Sequence, residues 1–136
     1  MCGAVDMKSE IQEKIQSVLE PCAFVTAAYL LGSACNGRLR PDSDIDLALL
    51  IGTGEPLSWE RRIMIAGELE QALGRSVDIG VLDCGNLIYA HEAILKGECV
   101  FCRDTAARDA FAVRALGLYD DLRYSRREVE AAYACG

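Results

Sequence analysis

The sequence predicts a single α/β domain in which a small mixed β-sheet is packed with helices and followed by a long C-terminal helical segment. Short apolar runs alternate with stretches of helical period, as such folds require. The length of 136 residues is enough for one hydrophobic core and too short for two ordinary domains. We therefore expect one domain over 1–136, with a core at about 9–104 and a helical extension at about 104–136.

The first half of the chain predicts one helix and two strands. A capping pattern and an apolar stripe predict the helix over 9–20, which Pro21 ends. Residues 23–31 are almost wholly apolar and predict a buried strand that stops at Gly32. Residues 44–51 (DIDLALLI) predict the next strand, and a glycine- and proline-containing loop follows it.

The middle of the chain continues the alternation. Helix, strand, helix and strand are expected, in that order, over 58–73, 76–82, 86–96 and 98–102. The first of these helices is predicted to pack through one apolar side formed by Ile63, Ala66, Leu69 and Leu73.

Residues 104–134 predict one long helix, or two helices joined at Gly117. An apolar seam repeats at intervals of four and three residues: Phe111, Ala115, Leu118, Leu122, Ser125, Val129 and Ala132. Its first half is expected to pack on the domain's own core. Beyond Tyr124 the seam thins, which favours docking of a partner.

Two aspartates begin the second predicted strand. Because side chains alternate along a strand, Asp44 and Asp46 should share one face of the sheet while Ile45 faces the other way. Like charges placed so closely repel each other unless a hard cation neutralises them, and Mg²⁺ prefers carboxylate oxygens. The pair therefore predicts a metal site. The alternative is that Asp44 is only a turn residue at the entry to the strand.

Asp78 is the candidate third carboxylate. It lies in a predicted strand that is otherwise apolar and glycine-containing, so we expect a buried acid with a functional role. Together with Asp44 and Asp46 it would hold one or two metal ions for in-line phosphoryl or nucleotidyl transfer, and it is also the candidate general base. The alternative is that Asp78 lies on an exposed face of the sheet.

The junction after the first predicted strand is a candidate phosphate-binding turn. Gly32 lets the backbone approach a ligand closely, and Ser33 adds a hydroxyl donor. On its own this dipeptide is more often a plain turn. Its fixed distance from the aspartates favours the nucleotide interpretation, in which Arg38 and Arg40 are the nearest positive charges.

Charge and cysteine content narrow the class of protein. A net charge of −7 and a pI near 4.7 disfavour nucleic acid as the substrate. No apolar run reaches the roughly 20 residues needed to span a bilayer, and the N-terminus lacks a secretion signal. Seven scattered cysteines fit reduced thiols in the cytoplasm.

Individual cysteines and the one histidine of the chain have mostly structural interpretations. Cys99 and Cys102 form a CxxC pair without a second pair, so we expect buried strand cysteines rather than a zinc site. Cys35 would lie in the phosphate-binding turn and be sensitive to alkylation. His91 is expected to have a structural or surface role.

The segments Gly32-Ser33 and 40–47 (RPDSDIDL), with ten residues between Ser33 and Asp44, resemble the nucleotidyltransferase superfamily and in particular its minimal nucleotidyltransferase domains. The strand around Asp78 and the segment 92–101 are also similar to that group. The resemblance implies the nucleotidyltransferase fold, ATP as substrate and Mg²⁺ as the metal, bound as two ions. Relatives often carry arginines in the turn where this chain has Ala34 and Asn36.

Many proteins of this group are antitoxins of HEPN-domain ribonuclease toxins. The resemblance therefore implies transfer of AMP from ATP to a toxin tyrosine, with release of pyrophosphate, in a hetero-oligomer with the toxin; a homodimer is a further option. Two alternatives stay open: an antitoxin that neutralises the toxin by binding alone, and an antibiotic-type nucleotidyltransferase acting on a small molecule. Membranes and direct binding of nucleic acid are not expected.

Overall fold

The computed structural model describes residues 7–32, 44–52 and 56–135. The described chain contains four helices and four strands, in this order: α1 (Met7–Leu19), β1 (Val25–Leu31), β2 (Ile45–Ile51), α2 (Trp59–Leu73), β3 (Val77–Leu82), α3 (Leu87–Lys96), β4 (Glu98–Cys102) and α4 (Thr105–Cys135). Each expected element is present, with ends that differ from the predicted ones by at most two residues. None of the described helices is both long and apolar enough to cross a membrane.

The strands form one four-stranded mixed sheet in the order β3-β2-β1-β4. Strand β1 pairs antiparallel with β2 on one side and with β4 on the other, whereas β2 and β3 run parallel. The parallel pair is joined through α2, as a parallel connection requires a crossover. The predicted α/β fold with a mixed sheet is confirmed.

Helices cover both faces of the sheet. Helices α1 and α2 cover the face that we call the packed face, where large aliphatic side chains such as Leu47 and Leu49 are fully buried. Helices α3 and α4 cover the opposite face, which we call the site face and which is built largely from alanines such as Ala48 and Ala90. Alternation along β2 therefore sends Ile45, Leu47 and Leu49 to the packed face, and Asp46, Ala48 and Leu50 to the site face.

The prediction for the apolar side of α2 is wrong at its first residue, Ile63. Ile65 and Leu69 are fully buried, with Ala66 and Leu73 packed beside them, whereas Ile63 is 51% exposed. A residue two positions before Ile65 lies on nearly the opposite side of a helix, because each residue turns the helix by about 100°. The helix begins at the N-cap Ser58, whose hydroxyl accepts a hydrogen bond from the Arg61 N–H.

Helix α4 is a single helix that continues through Gly117. In its first half, Ala115 is buried and Phe111 packs against the site face, so this part of the seam packs on the domain's own core as expected. Leu118 and Leu122 are each 37% exposed, and Ser125 is also exposed. The side chains of the last two seam positions, Val129 and Ala132, lie outside the described residues.

Arg103, at the end of β4, binds the segment that runs from the end of α1 to the start of β1. Its guanidinium donates hydrogen bonds of 2.9–3.1 Å to four backbone carbonyls, those of Leu19, Glu20, Cys22 and Val25. The same group lies over the ring of Phe101, 5.2 Å from its centroid. One side chain thus satisfies carbonyls at the end of α1 that no helical N–H can reach.

Candidate functional site

Two of the predicted site aspartates lie side by side across the parallel strands. Asp46 of β2 and Asp78 of β3 are directly paired in the strand register. Both side chains project from the site face, because Ala48 and Leu50, which follow Asp46 at intervals of two, belong to that face. The sequence therefore placed these two carboxylates correctly on one surface.

Asp78 is exposed to solvent, as is Asp46. The expectation of a buried acid at position 78 was wrong. Strand β3 is an edge strand of the sheet, and α3 starts only after the strand has ended, so the beginning of β3 stays uncovered. Exposure does not remove Asp78 from the site, since it lines the same cavity as Asp46.

The third carboxylate, Asp44, immediately precedes β2 and is exposed. Partial burial raises the pKa of the Asp46 carboxyl, and the negative charges of Asp78 and then Asp44 raise it further. The three aspartates therefore act on one another electrostatically. A bound cation would relieve this repulsion.

Within the described ranges, no three His, Cys, Asp or Glu side chains are grouped so that they could hold a metal ion. A complete protein cage for a metal is thus not preformed by these residues. The donor set still fits Mg²⁺ in kind, because this ion is commonly held by one or two carboxylates, with water and substrate phosphates completing its shell. Asp46 and Asp44 are the residues that would hold it, with Asp78 beside them.

Gly32 ends β1 next to this carboxylate pair. Its φ angle is 71°, in the left-handed region, and a Cβ atom there would lie 3.4 Å from Asp46 Oδ2. Glycine therefore permits the turn and keeps space open above the carboxylate. Ser33, Arg38 and Arg40, the other predicted nucleotide-binding residues, lie outside the described residues, and so does Cys35.

Two open cavities adjoin the aspartates. The first, about 530 Å³, is lined by Asp46 and Asp78 together with Arg62 and Tyr89, and we call it the aspartate cavity. The second, about 510 Å³, is lined by Leu31, Gly32, Tyr89, Glu92 and Lys96, and we call it the Gly32 cavity. They share Leu31 and Tyr89. Each has a volume in the range of small-molecule sites.

Arg62 and Tyr89 line the aspartate cavity and were missed from the sequence. The Arg62 guanidinium donates a hydrogen bond to the Ile79 carbonyl, which holds its positive charge beside β3. Arg62 lies in an ordinary amphipathic helix, so no local pattern marks it. Only the packing of α2 against β3 brings it to the site.

Tyr89 lies over Gly80, where a Cβ atom would overlap its hydroxyl. Asn86, the N-cap of α3, accepts a hydrogen bond from the Tyr89 N–H and so fixes the start of the helix. Burial raises the pKa of the Tyr89 phenol, and the charge of Asp46 raises it further, while Arg62 opposes this effect. A glycine two residues after Asp78 was the available sequence signal for a close approach.

The remaining candidates from the sequence have structural surroundings. His91 stacks on Tyr119 with ring centroids 3.7 Å apart, in agreement with a structural role. Cys99 and Cys102 are half-buried rather than buried, and Cys99 Sγ lies 3.6 Å from the Arg108 guanidinium. A register shift between β1 and β4 brings both cysteines to the site face, where part of each stays accessible.

Comparison with known proteins identifies the family and the fold. Residues 13–106 match the family described as Polymerase beta, Nucleotidyltransferase. No curated protein is detectably similar to the chain in sequence.

Several solved structures share the fold. One is a toxin–antitoxin with AMP-PNP, with a TM-score of 0.74 and 24% identity over 89% of this chain and 96% of that one. Another is a tri-AMPylated Shewanella oneidensis HEPN toxin in complex with its MNT antitoxin, with a TM-score of 0.71 and 22% identity over 92% and 97%. A toxin–antitoxin MntA-HepT structure has a TM-score of 0.68 and 23% identity over 90% and 95%.

The family match spans most of the chain and includes Gly32, Asp44, Asp46 and Asp78, the residues that the fold brings together at the start of β2 and β3. The resemblance seen in the sequence is confirmed: this chain belongs to the polymerase beta-type nucleotidyltransferase family.

Proposed function

We propose that this protein is an antitoxin that transfers AMP from ATP to a tyrosine hydroxyl of a HEPN-type ribonuclease toxin. The observation that carries the proposal is the pairing of Asp46 with Asp78 beside Gly32, next to two cavities whose volumes are those of small-molecule sites. The family match supports nucleotidyl transfer. Structural neighbours that include a tri-AMPylated HEPN toxin with an MNT antitoxin support a protein acceptor.

The proposed reaction displaces pyrophosphate from the α-phosphorus of ATP. The acceptor oxygen forms a bond to that phosphorus, and the bond from phosphorus to the bridging oxygen of the leaving pyrophosphate breaks. Mg²⁺, in two positions, would neutralise the phosphate charge and orient the oxygens when bound. Asp44 and Asp46 would hold it, and Asp78 would accept the proton from the acceptor hydroxyl.

The second candidate function is neutralisation by binding alone. The observation that favours it is the exposed apolar surface of α4, where Leu118, Leu122 and Tyr124 lie beyond the part of the helix that packs on the core. Such a surface fits a helical protein partner. It serves equally to dock a toxin whose tyrosine is then modified, so the two functions differ only in whether the aspartates act.

Intact-mass spectrometry of the toxin separates these functions. A HEPN-type toxin is incubated with this chain, ATP and Mg²⁺, using the wild type, Asp46→Asn and a control, Glu13→Gln. The control removes the same charge from an exposed position on α1. We expect AMP additions with the wild type and the control, and at least about a hundredfold slower addition with Asp46→Asn.

Removal of the metal with EDTA should stop the addition, and added Mg²⁺ should restore it. A toxin that is neutralised in a stable complex without any change of mass would favour binding alone. Transfer that persists in Asp46→Asn would exclude the proposed role of this aspartate. Seven scattered cysteines support the cytoplasm as the proposed compartment, and a net charge of −7 supports a protein rather than a nucleic acid as the proposed acceptor.

A further inference from the structure

We propose that Lys96 binds the β- and γ-phosphates of the nucleotide in the Gly32 cavity and stabilises the pyrophosphate as it leaves. This inference rests on the proposed function, since it assigns a residue to the triphosphate of that substrate. It adds to the site a cation from α3, outside the glycine–serine and aspartate motifs.

The first support is the position of Lys96. It is the last residue of α3, and together with Gly32 and Tyr89 it lines a cavity that adjoins the aspartates. The next residue, Gly97, is packed tightly against the end of β1: a Cβ atom there would lie 2.5 Å from the Ala93 carbonyl and 2.6 Å from Leu31 Cδ2. This close contact fixes the end of α3, and therefore the origin of the Lys96 side chain, next to the Gly32 turn.

The second support is the balance of charge. The described residues that line the two cavities include three carboxylates, Asp46, Asp78 and Glu92, and two cations, Arg62 and Lys96. Arg62 is held against the Ile79 carbonyl beside β3. Among the described residues that line the two cavities, Lys96 is therefore the cation on the Gly32 side of Asp46. A triphosphate whose α-phosphate lies at the aspartates needs positive charge where its outer phosphates extend.

The third support is the direction of the reaction. In an in-line displacement the acceptor and the leaving group lie on opposite sides of the phosphorus. The aspartate cavity contains Asp78, the proposed base, and is therefore the side of the acceptor. The Gly32 cavity is the other side, and Lys96 is placed there to meet the charge that develops on pyrophosphate.

Glu92 allows a test in which two substitutions should change the affinity for a triphosphate in opposite directions. Its carboxylate forms an ion pair with Lys96 at 3.2 Å, one helical turn away, and lines the same cavity. A phosphate bound by Lys96 must compete with Glu92 and is repelled by it. Removal of the Lys96 charge should therefore weaken binding of a triphosphate, and removal of the Glu92 charge should strengthen it.

Calorimetry on the full chain with Mg²⁺ tests the inference. The ligands are AMP and an ATP analogue with a methylene bridge between the α- and β-phosphates, which cannot be cleaved at the reacting bond. The variants are Lys96→Ala, Lys96→Arg and Glu92→Gln. The matched control is Lys14→Ala, because Lys14 forms an equivalent exposed ion pair with Glu10 at 3.3 Å on α1.

We expect Lys96→Ala to bind the analogue about twofold to fivefold more weakly, within the range for an exposed charge contact, and to bind AMP as the wild type does. Lys96→Arg should restore the affinity, Glu92→Gln should increase it, and Lys14→Ala should leave it unchanged. An unchanged affinity of Lys96→Ala for the analogue, or an equal loss for AMP, would overturn the inference. So would a wild type that does not bind the analogue.

The toxin mass assay keeps this inference separate from the proposed function. If the wild type adds AMP to the toxin while Lys96→Ala binds the analogue normally, the assignment of Lys96 is wrong and the proposed function stands. If the analogue binds through Lys96 but no acceptor is modified, the phosphate site stands and the transfer to a toxin is wrong.

Discussion

The two faces of the sheet are built from the same four strands in opposite ways. On the packed face, large aliphatic side chains are excluded from water entirely, as at Ile45, Leu47, Leu49 and Leu30. On the site face, two strand positions, Ala27 and Ala48, are alanines, and the helices that cover them contribute the buried alanines Ala90, Ala93 and Ala115. Most of the buried apolar area, and with it most of the hydrophobic stabilisation, therefore belongs to the packed face.

Small residues on the site face have a different role, which is to leave space. They let α3 approach the sheet closely, and they leave room beside Gly80 for Tyr89 and beside Asp46 for an open cavity. The comparison teaches that one sheet can separate stability from chemistry by side-chain alternation alone. Truncation of side chains on the packed face should mainly change the free energy of unfolding, and truncation of side chains on the site face should mainly change the reaction.

The largest expected effect on stability is from Leu49→Ala on the packed face. Leu49 is fully buried, so the change should lower the free energy of unfolding by about 3–5 kcal/mol. Leu31→Ala is the matched change on the site face, where Leu31 is partly buried and lines both cavities. It should cost less than about 2 kcal/mol and slow AMP transfer. Urea denaturation measures the free energy of unfolding of both variants. Equal losses of this free energy would contradict the comparison between the two faces.

Gly97→Ala should have the next largest effect. Its new methyl group would meet the Ala93 carbonyl and the Leu30 carbonyl, backbone atoms that cannot move away separately, and we expect a loss of about 2–3 kcal/mol. Gly67→Ala is the control within α2: nothing lies within 4 Å of its new Cβ, so it should stabilise the protein by about 0.5–1 kcal/mol. In thermal unfolding, we expect the melting temperature to fall in Gly97→Ala and to rise in Gly67→Ala.

Gly80→Ala tests whether the site face depends on the contact with Tyr89. The new methyl group would overlap the phenol and displace it, at a cost of about 1–2 kcal/mol. In a Tyr89→Ala background the same substitution should cost almost nothing, because the overlapping group is gone. A double-mutant cycle measured by denaturation gives the coupling. Additive losses would show that Tyr89 does not fill the space above Gly80.

The smallest expected effect on stability is from the removal of charge at Asp46. Its pKa is raised in the folded protein by burial and by Asp78 and Asp44, so the folded state binds its proton more tightly than the unfolded state. Stability from this group is present at low pH and is lost as the pH rises through the folded pKa. At neutral pH, Asp46→Asn should stabilise the metal-free protein, by at most about 1 kcal/mol because the site is exposed.

A pH series of thermal unfolding measurements checks the sign. The wild type should lose stability relative to Asp46→Asn as the pH rises above the range of ordinary carboxyl groups, and Mg²⁺ with a nucleotide should reverse this order. A wild type that is more stable than Asp46→Asn at neutral pH without metal would show that the carboxylates do not repel one another.

Much of this architecture was predictable because its elements are marked by local chemistry. The motif residues Gly32, Asp44 and Asp46 mark the turn and the start of β2. Asp78 was expected on a neighbouring strand, and the strand register pairs it with Asp46. The order of helices and strands followed from periodicity and from the residues that end each element.

The errors share one cause, which is that the tertiary environment decides between local options. Ile63 fits a helical stripe with Ala66 and Ile65 fits one with Leu69, and only the position of the sheet selects Ile65. Asp78 lies in an apolar run, yet it is exposed because β3 is an edge strand. Arg62 and Tyr89 come from helices whose sequences contain no sign that they point to the aspartates.

The contacts of Arg103 also affect when the domain can complete its fold during translation. The carbonyls that this side chain binds belong to residues about 80 positions earlier, and β1 receives its second neighbouring strand only when β4 is present. A nascent chain that has released α1, β1 and β2 from the ribosome therefore has an open strand edge and an unfinished helix end. The domain can be completed only after residue 103 has emerged, so chaperones would meet a partly folded chain through most of its translation.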